Sequence, residues 1–159
     1  MESSTPWRRW ILLALVAIGG SLFYGATLAH MLPKSDLLRG ALWLTLSAGT
    51  GWILLGPALI LFAQKPISVV ADACLVAMAC GEVVLAIGGV LNLALVTGIP
   101  FNIVVVAMSN VLMAGVLAAR LKENGVHPAT TLACWFIVLD GGGAAAFWIL
   151  YRLLFGGHA

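Results

Sequence analysis

Residues 68–95 read SVVADACLVAMACGEVVLAIGGVLNLAL, an apolar run in which Asp72 and Glu82 are the only charged side chains. A helix needs about 20 mostly apolar residues to cross the hydrocarbon core of a bilayer. This run exceeds that length. It lacks the segments of about ten alternating residues that mark a barrel strand. It therefore predicts a membrane-spanning α-helix that carries two acids.

The flanking sequence repeats the pattern in both directions. Toward the N-terminus, Gln64-Lys65-Pro66 closes an apolar run over about 40–63, and Pro33-Lys34-Ser35-Asp36 separates it from another over about 10–32. Toward the C-terminus, Thr97-Gly98-Ile99-Pro100 is a compact turn signal. Pro100 suits the first turn of a helix, and a fourth run follows over about 100–121. The segment from Arg120 to Gly125 closes it, and a fifth run covers about 130–155. The expectation is an all-α fold: a polytopic transmembrane helix bundle of five spans with short loops, forming a single domain over residues 1–159. The third and fourth spans are divided only by an uncharged turn.

Composition agrees. Of the 159 residues, 62% are hydrophobic and 9% charged, with a mean hydropathy of +1.09. Soluble domains carry about 25% charged residues, and a chain this short keeps a large fraction of its surface exposed. Lipid is the solvent that fits. The net charge of +2, with no basic stripe, argues against a nucleic-acid partner.

The charges also orient the chain. With the N-terminus inside, five spans place Arg8, Arg9, Lys65, Arg120 and Lys122 on the inner side. Lys34, Arg39 and Arg152 fall outside. That bias favours a cytoplasmic N-terminus, and the compact loops suit a bacterial inner (plasma) membrane. Trp7 and Trp10 mark one interface. Trp135 and Trp148 bracket the fifth span as interfacial aromatics do, whereas Trp52 falls near mid-span and reads as packing. The first span also has features of a secretory signal, with Thr27-Leu28-Ala29 as a cleavage site, but its apolar stretch is long for that role.

Three acids lie inside apolar runs, where ionisable groups cost roughly 2.5–3.5 kcal/mol on insertion scales. At about 1.5 Å of rise per residue, Asp72 is only roughly 6 Å into its span, within reach of water or Lys65. Glu82 lies roughly 20 Å in and Asp140 roughly 15 Å in, and Asn110 and Ser109 reach a similar depth on the fourth span. Ser47 and Thr50 match them on the second. Glu82, Asn110 and Asp140 thus form a candidate midplane site for a substrate or ion, with Glu82 and Asp140 expected to face each other. No Lys or Arg lies at that depth. The two acids are expected to be at least partly protonated or to bind a cation, the raw material of a relay. The plainer expectation is that they hydrogen-bond between helices and fix the packing. Small residues, including Ala73, Ala77 and Gly81, form a seam that lets helices approach closely. Gly141-Gly142-Gly143 reads as close packing or as a break with exposed carbonyls.

Other chemistries are poorly supported. His30, His127 and His158 lie at different levels and do not make a haem pair, and no zinc spacing occurs. No cofactor and no metal site is expected. Cys74, Cys80 and Cys134 read as small buried hydrophobes. Asn92 and Asn102 flank the outer turn and read as backbone caps. No GxSxG motif is present, no catalytic residue is assigned, and the chain reads more readily as a non-enzyme. The leading expectation is transport or permeation of an ion or small solute, with a homo-oligomer or further membrane subunits as partners. Behind it stand a non-catalytic subunit or scaffold of a larger membrane complex and, last, a lipid-active membrane enzyme.

Overall fold

A computed structural model describes residues 6–29, 51–95 and 97–155. Their elements are α1 (Pro6–Ala29), α2 (Gly51–Ala63), α3 (Ile67–Ala94), α4 (Ile99–Glu123), α5 (Pro128–Cys134), a π-helical segment (Trp135–Gly142) and α6 (Gly143–Phe155). No strand occurs among the described residues. The fold is an all-α bundle. Helices α1, α3 and α4 are each long and apolar enough to cross a membrane. The expected start of the second span, the break at 33–36, Ser47, Thr50, His30 and His158 lie outside the described residues.

The helix ends follow local chemistry. α3 starts directly after Pro66, and the uncharged turn does break the chain: Leu95 is extended, and Gly98 precedes a helix with Pro100 in its first turn. α4 ends in a Schellman motif. Gly125 adopts φ +78°, Gly125 N donates to Lys122 O at 2.9 Å and Val126 N donates to Leu121 O at 3.0 Å. Glycine takes that left-handed position without a Cβ penalty. Leu121 and Val126 then pack together in the core. His127 opens α5, its Nδ1 accepting from Ala129 N at 3.2 Å.

The packing order is α1 against α3, α3 against α4, and α4 against α5. α1 and α3 run parallel, because Arg9 reaches Asp72, Ser21 reaches Glu82 and Thr27 reaches Asn92. α4 runs antiparallel to both, since Ser109 meets Gly81 and Asn102 meets Asn92. The loops at Lys65 and Gly125 share one end: a side chain at 125 would begin 3.7 Å from Lys65 Nζ. The core lies between α2, α3, α4 and α5 and is built from Leu55, Leu59, Ala77, Leu117, Leu121 and Trp135, all fully buried. The outer faces are apolar, with Leu12, Ile103, Val111 and Leu153 all more than 60% exposed. Such an exterior suits a lipid surround.

Two aromatic expectations divide. Trp52 packs edge-on to Trp135, ring centroids 5.4 Å apart. Trp135 is therefore not an interfacial anchor: it is fully buried at the start of the π segment. Its indole N–H has a partner on α4, so the ring needs no headgroup layer. Trp148, half exposed under the Arg152 guanidinium, keeps the character of an interfacial residue.

Candidate functional site

Glu82 sits in the middle of α3 and is 7% exposed. Ser21 Oγ on α1 donates to its Oε1 at 2.7 Å. Oε2 is buried and has no hydrogen-bond partner. The carboxyl is enclosed because α1 presents a glycine beside the serine. A Cβ at Gly20 would stand 2.7 Å from both Cβ and Oε2 of Glu82 and 2.9 Å from its backbone oxygen. On the other side of α3, Gly81 lets α4 approach as closely. Met113 and Ser109 fill the space a side chain would take, and Ser109 Oγ donates to Gly81 O at 3.0 Å.

Asn110 follows Ser109, about 100° further round α4, and faces the opposite neighbour. Its Nδ2 donates to Asp140 Oδ1 at 3.2 Å, and its Oδ1 accepts from Trp135 Nε1 at 2.8 Å. Trp135 and Asp140 are five residues apart, about 140° round an ordinary α-helix. In a π-helix the repeat is i→i+5, which brings the two onto one side, where a single asparagine holds both. The three glycines lie where this wider turn returns to α6. Gly51 of α2 presses on the Leu139 carbonyl, where a Cβ would meet the oxygen at 3.1 Å. Close packing and an altered backbone thus coincide at the glycine run.

Glu82, Asn110 and Asp140 fall near one level of the bundle, but the two acids do not face each other. Glu82 pairs with Ser21 on α1, and Asp140 pairs with Asn110 on α4. α4 stands between them, turning Ser109 to α3 and Asn110 to the π segment. Ser21 and Trp135 are the members that sequence reasoning missed. Ser21 had a signal: Ser21, Tyr24 and Thr27 recur every third residue, which places them along one side of α1.

Two further polar tiers lie along the α1–α3 seam. Asp72 accepts from Arg9 Nη2 and Trp10 Nε1, each at 3.2 Å. Its partner is α1, not Lys65. At the other end, Tyr24 Oη donates to Asn102 Oδ1 at 2.8 Å, Asn92 Nδ2 donates to the same oxygen at 2.8 Å, and Thr97 donates to Asn92. Asn102 also caps backbone, its Nδ2 reaching Gly98 O at 3.1 Å. The caps expected of Asn92 and Asn102 are therefore part of a clasp that includes α1. Asp72, Glu82 and Asn92 are ten residues apart, roughly 15 Å of helix per step.

Among the described residues no group of three or more His, Cys, Asp or Glu side chains could hold a metal. A cleft of about 210 Å³ opens at the Asp72 tier, lined by Ser68, Asp72, Arg120, Glu123 and Asn124 among others. Arg120 is paired there with Glu123 at 3.4 Å.

Fold and site together define an all-α helical bundle of membrane type. Compared with known proteins, the chain matches no family, no curated protein and no solved structure.

Proposed function

We propose that this chain is a five-span membrane protein that moves a proton or small cation, with Glu82 as the group that carries it. The supporting observation is the Glu82 carboxyl itself: buried at mid-helix, held by one serine, with a second oxygen that has no partner. A group in that position is costly in lipid, and ionisable side chains at membrane depth are a feature of ion pathways and proton relays. Asn110 and Asp140 complete a polar layer across the same bundle, and the basic residues favour an inner-membrane protein with its N-terminus in the cytoplasm. The bare apolar faces of α3 and α4, with Val83, Ile87, Ile103 and Val111 exposed, suit a homo-oligomer or an assembly with other membrane subunits as the working form.

Flux measured in proteoliposomes tests this reading. Glu82→Gln is expected to abolish proton or cation movement and Asp140→Asn to reduce it. Native flux in both variants overturns it.

A second reading, a non-catalytic subunit of a larger membrane complex, draws on the outer face of α4. Ile103, Met108 and Val111 lie bare there. Co-purification of other subunits in mild detergent, with no flux from the isolated chain, favours it.

A further inference from the structure

We infer that the ion handled at Glu82 is a proton and not a metal cation. This rests on the reading of Glu82 as the carrier and names what it carries. The inference comes from the room and the ligands around the carboxyl.

Mg²⁺ and Ca²⁺ take six or more oxygen ligands at roughly 2.0–2.6 Å, and Na⁺, close to Ca²⁺ in size, and the larger K⁺ need no less room. Glu82 has one side-chain partner, Ser21, whose hydroxyl hydrogen is directed at Oε1. The other oxygen is sealed among protein atoms, with no water-sized space against it and no hydrogen-bond partner. A solvated or protein-caged cation needs far more space than that. A proton needs none: it bonds covalently to Oε2 and turns a carboxylate into a neutral acid. Ser21 continues to donate to Oε1 in both states. Neutralisation also lowers the cost of the buried, unpartnered oxygen, because an unpaired charge is far more expensive to bury than an unpaired polar group.

Among the described residues no other ion is placed to compensate the carboxylate. On α1 the charged and titratable side chains are Arg8, Arg9 and Tyr24. Arg9 is engaged by Asp72 and Tyr24 by Asn102. On α4 they are Arg120, Lys122 and Glu123, all in its last turn at the Asp72 end. From α4 the groups at the Glu82 level are the Ser109 hydroxyl and Met113. None of these hydrogen-bonds to Glu82.

A hydrophobic carbodiimide supplies the test, because it reacts with a protonated carboxyl in an apolar site. Full-length protein in liposomes is labelled across a pH series in sodium, potassium or choline chloride at matched ionic strength. The adduct at Glu82 is quantified by peptide mass spectrometry, with Glu82→Gln as the blank. A proton site predicts labelling that falls about tenfold per pH unit above its midpoint and is the same in all three salts. Protection by sodium or potassium at constant pH overturns the inference. The infrared carbonyl band of a protonated carboxyl, present in the native protein and lost in Glu82→Gln, is the second measurement. Its absence at every pH also overturns the inference. The two proposals separate cleanly. Proton binding without flux retains this inference and removes the transport reading. Sodium-protected labelling with sodium flux does the reverse.

Discussion

Ser21 on α1 and Glu82 on α3 are joined by a 2.7 Å hydrogen bond, and the glycine beside Ser21 brings the two backbones together around the carboxyl. The buried mid-helix acid is therefore held by the first helix and not by the second acid.

Gly20 is the position where this contact is most exacting. A Cβ there meets the Cβ and backbone oxygen of Glu82 as well as a carboxyl oxygen, so rotation of one side chain cannot relieve it. Gly20→Ala is expected to lower stability by about 1–3 kcal/mol. Gly19→Ala is the control, since nothing lies within 4 Å of its Cβ position. That change is expected to be neutral or to stabilise by up to about 1 kcal/mol. Thermal melts in detergent compare the two, and equal melting temperatures would contradict the close approach.

Among the described residues, Asn110 is the one hydrogen-bond partner of both the Trp135 indole N–H and Asp140 Oδ1. Asn110→Leu is expected to cost about 1–3 kcal/mol by leaving both unpaired. A double-mutant cycle with Trp135→Phe should return a coupling of about 0.6 kcal/mol, with a ceiling near 1.7. A coupling of zero means that the pair does not form.

The π segment makes its own prediction. Deleting Gly141 shortens the wide turn and favours an ordinary α-helix, which rotates Asp140 or Trp135 by about 100° away from Asn110. The protein is expected to remain helical by circular dichroism, while Asn110 loses its coupling to one of the two, Trp135 or Asp140. Persistence of both couplings in the deletion variant would rule out the π geometry as the reason that one asparagine holds both.

The helix directions predict sidedness. α1 and α3 begin at one end of the bundle, together with the Lys65 and Gly125 loops, and the Thr97–Gly98 turn lies at the other. In a background with the three native cysteines replaced, Arg8→Cys, Lys65→Cys and Gly125→Cys should react with an impermeant thiol reagent from the same side of a sealed vesicle. Gly98→Cys should react only from the opposite side. Labelling of Lys65→Cys and Gly98→Cys from one side defeats the alternation.

Much of this was written in the amino-acid order. Long apolar runs, prolines at the starts of α1, α3, α4 and α5, and a glycine at Gly125 set the helices, because bilayer thickness and backbone sterics leave few alternatives. The depth of Glu82, Asn110 and Asp140 could be counted along each helix by rise alone. Which neighbour each side chain meets could not. That depends on helix order in the plane of the membrane, which rise per residue does not encode. Trp135 shows the same limit. Its place near a span's start suggested an interface, but Asn110 on α4 satisfies its N–H inside the bundle. The π turn was legible only as three glycines, which mark a loosened helix without saying in which direction it loosens.

The parallel pairing of α1 with α3 has a consequence for how the chain is made. Parallel neighbours cannot form a hairpin, so the chain between them must return to the starting end before α3 can lie beside α1. The first helix then resides in the membrane with Ser21 unpaired until the ribosome has delivered Glu82, some sixty residues later. A polar serine is cheap to store in lipid; a carboxyl is not. The order of synthesis places the inexpensive half of the contact in the bilayer first, where it can receive the costly half as it arrives.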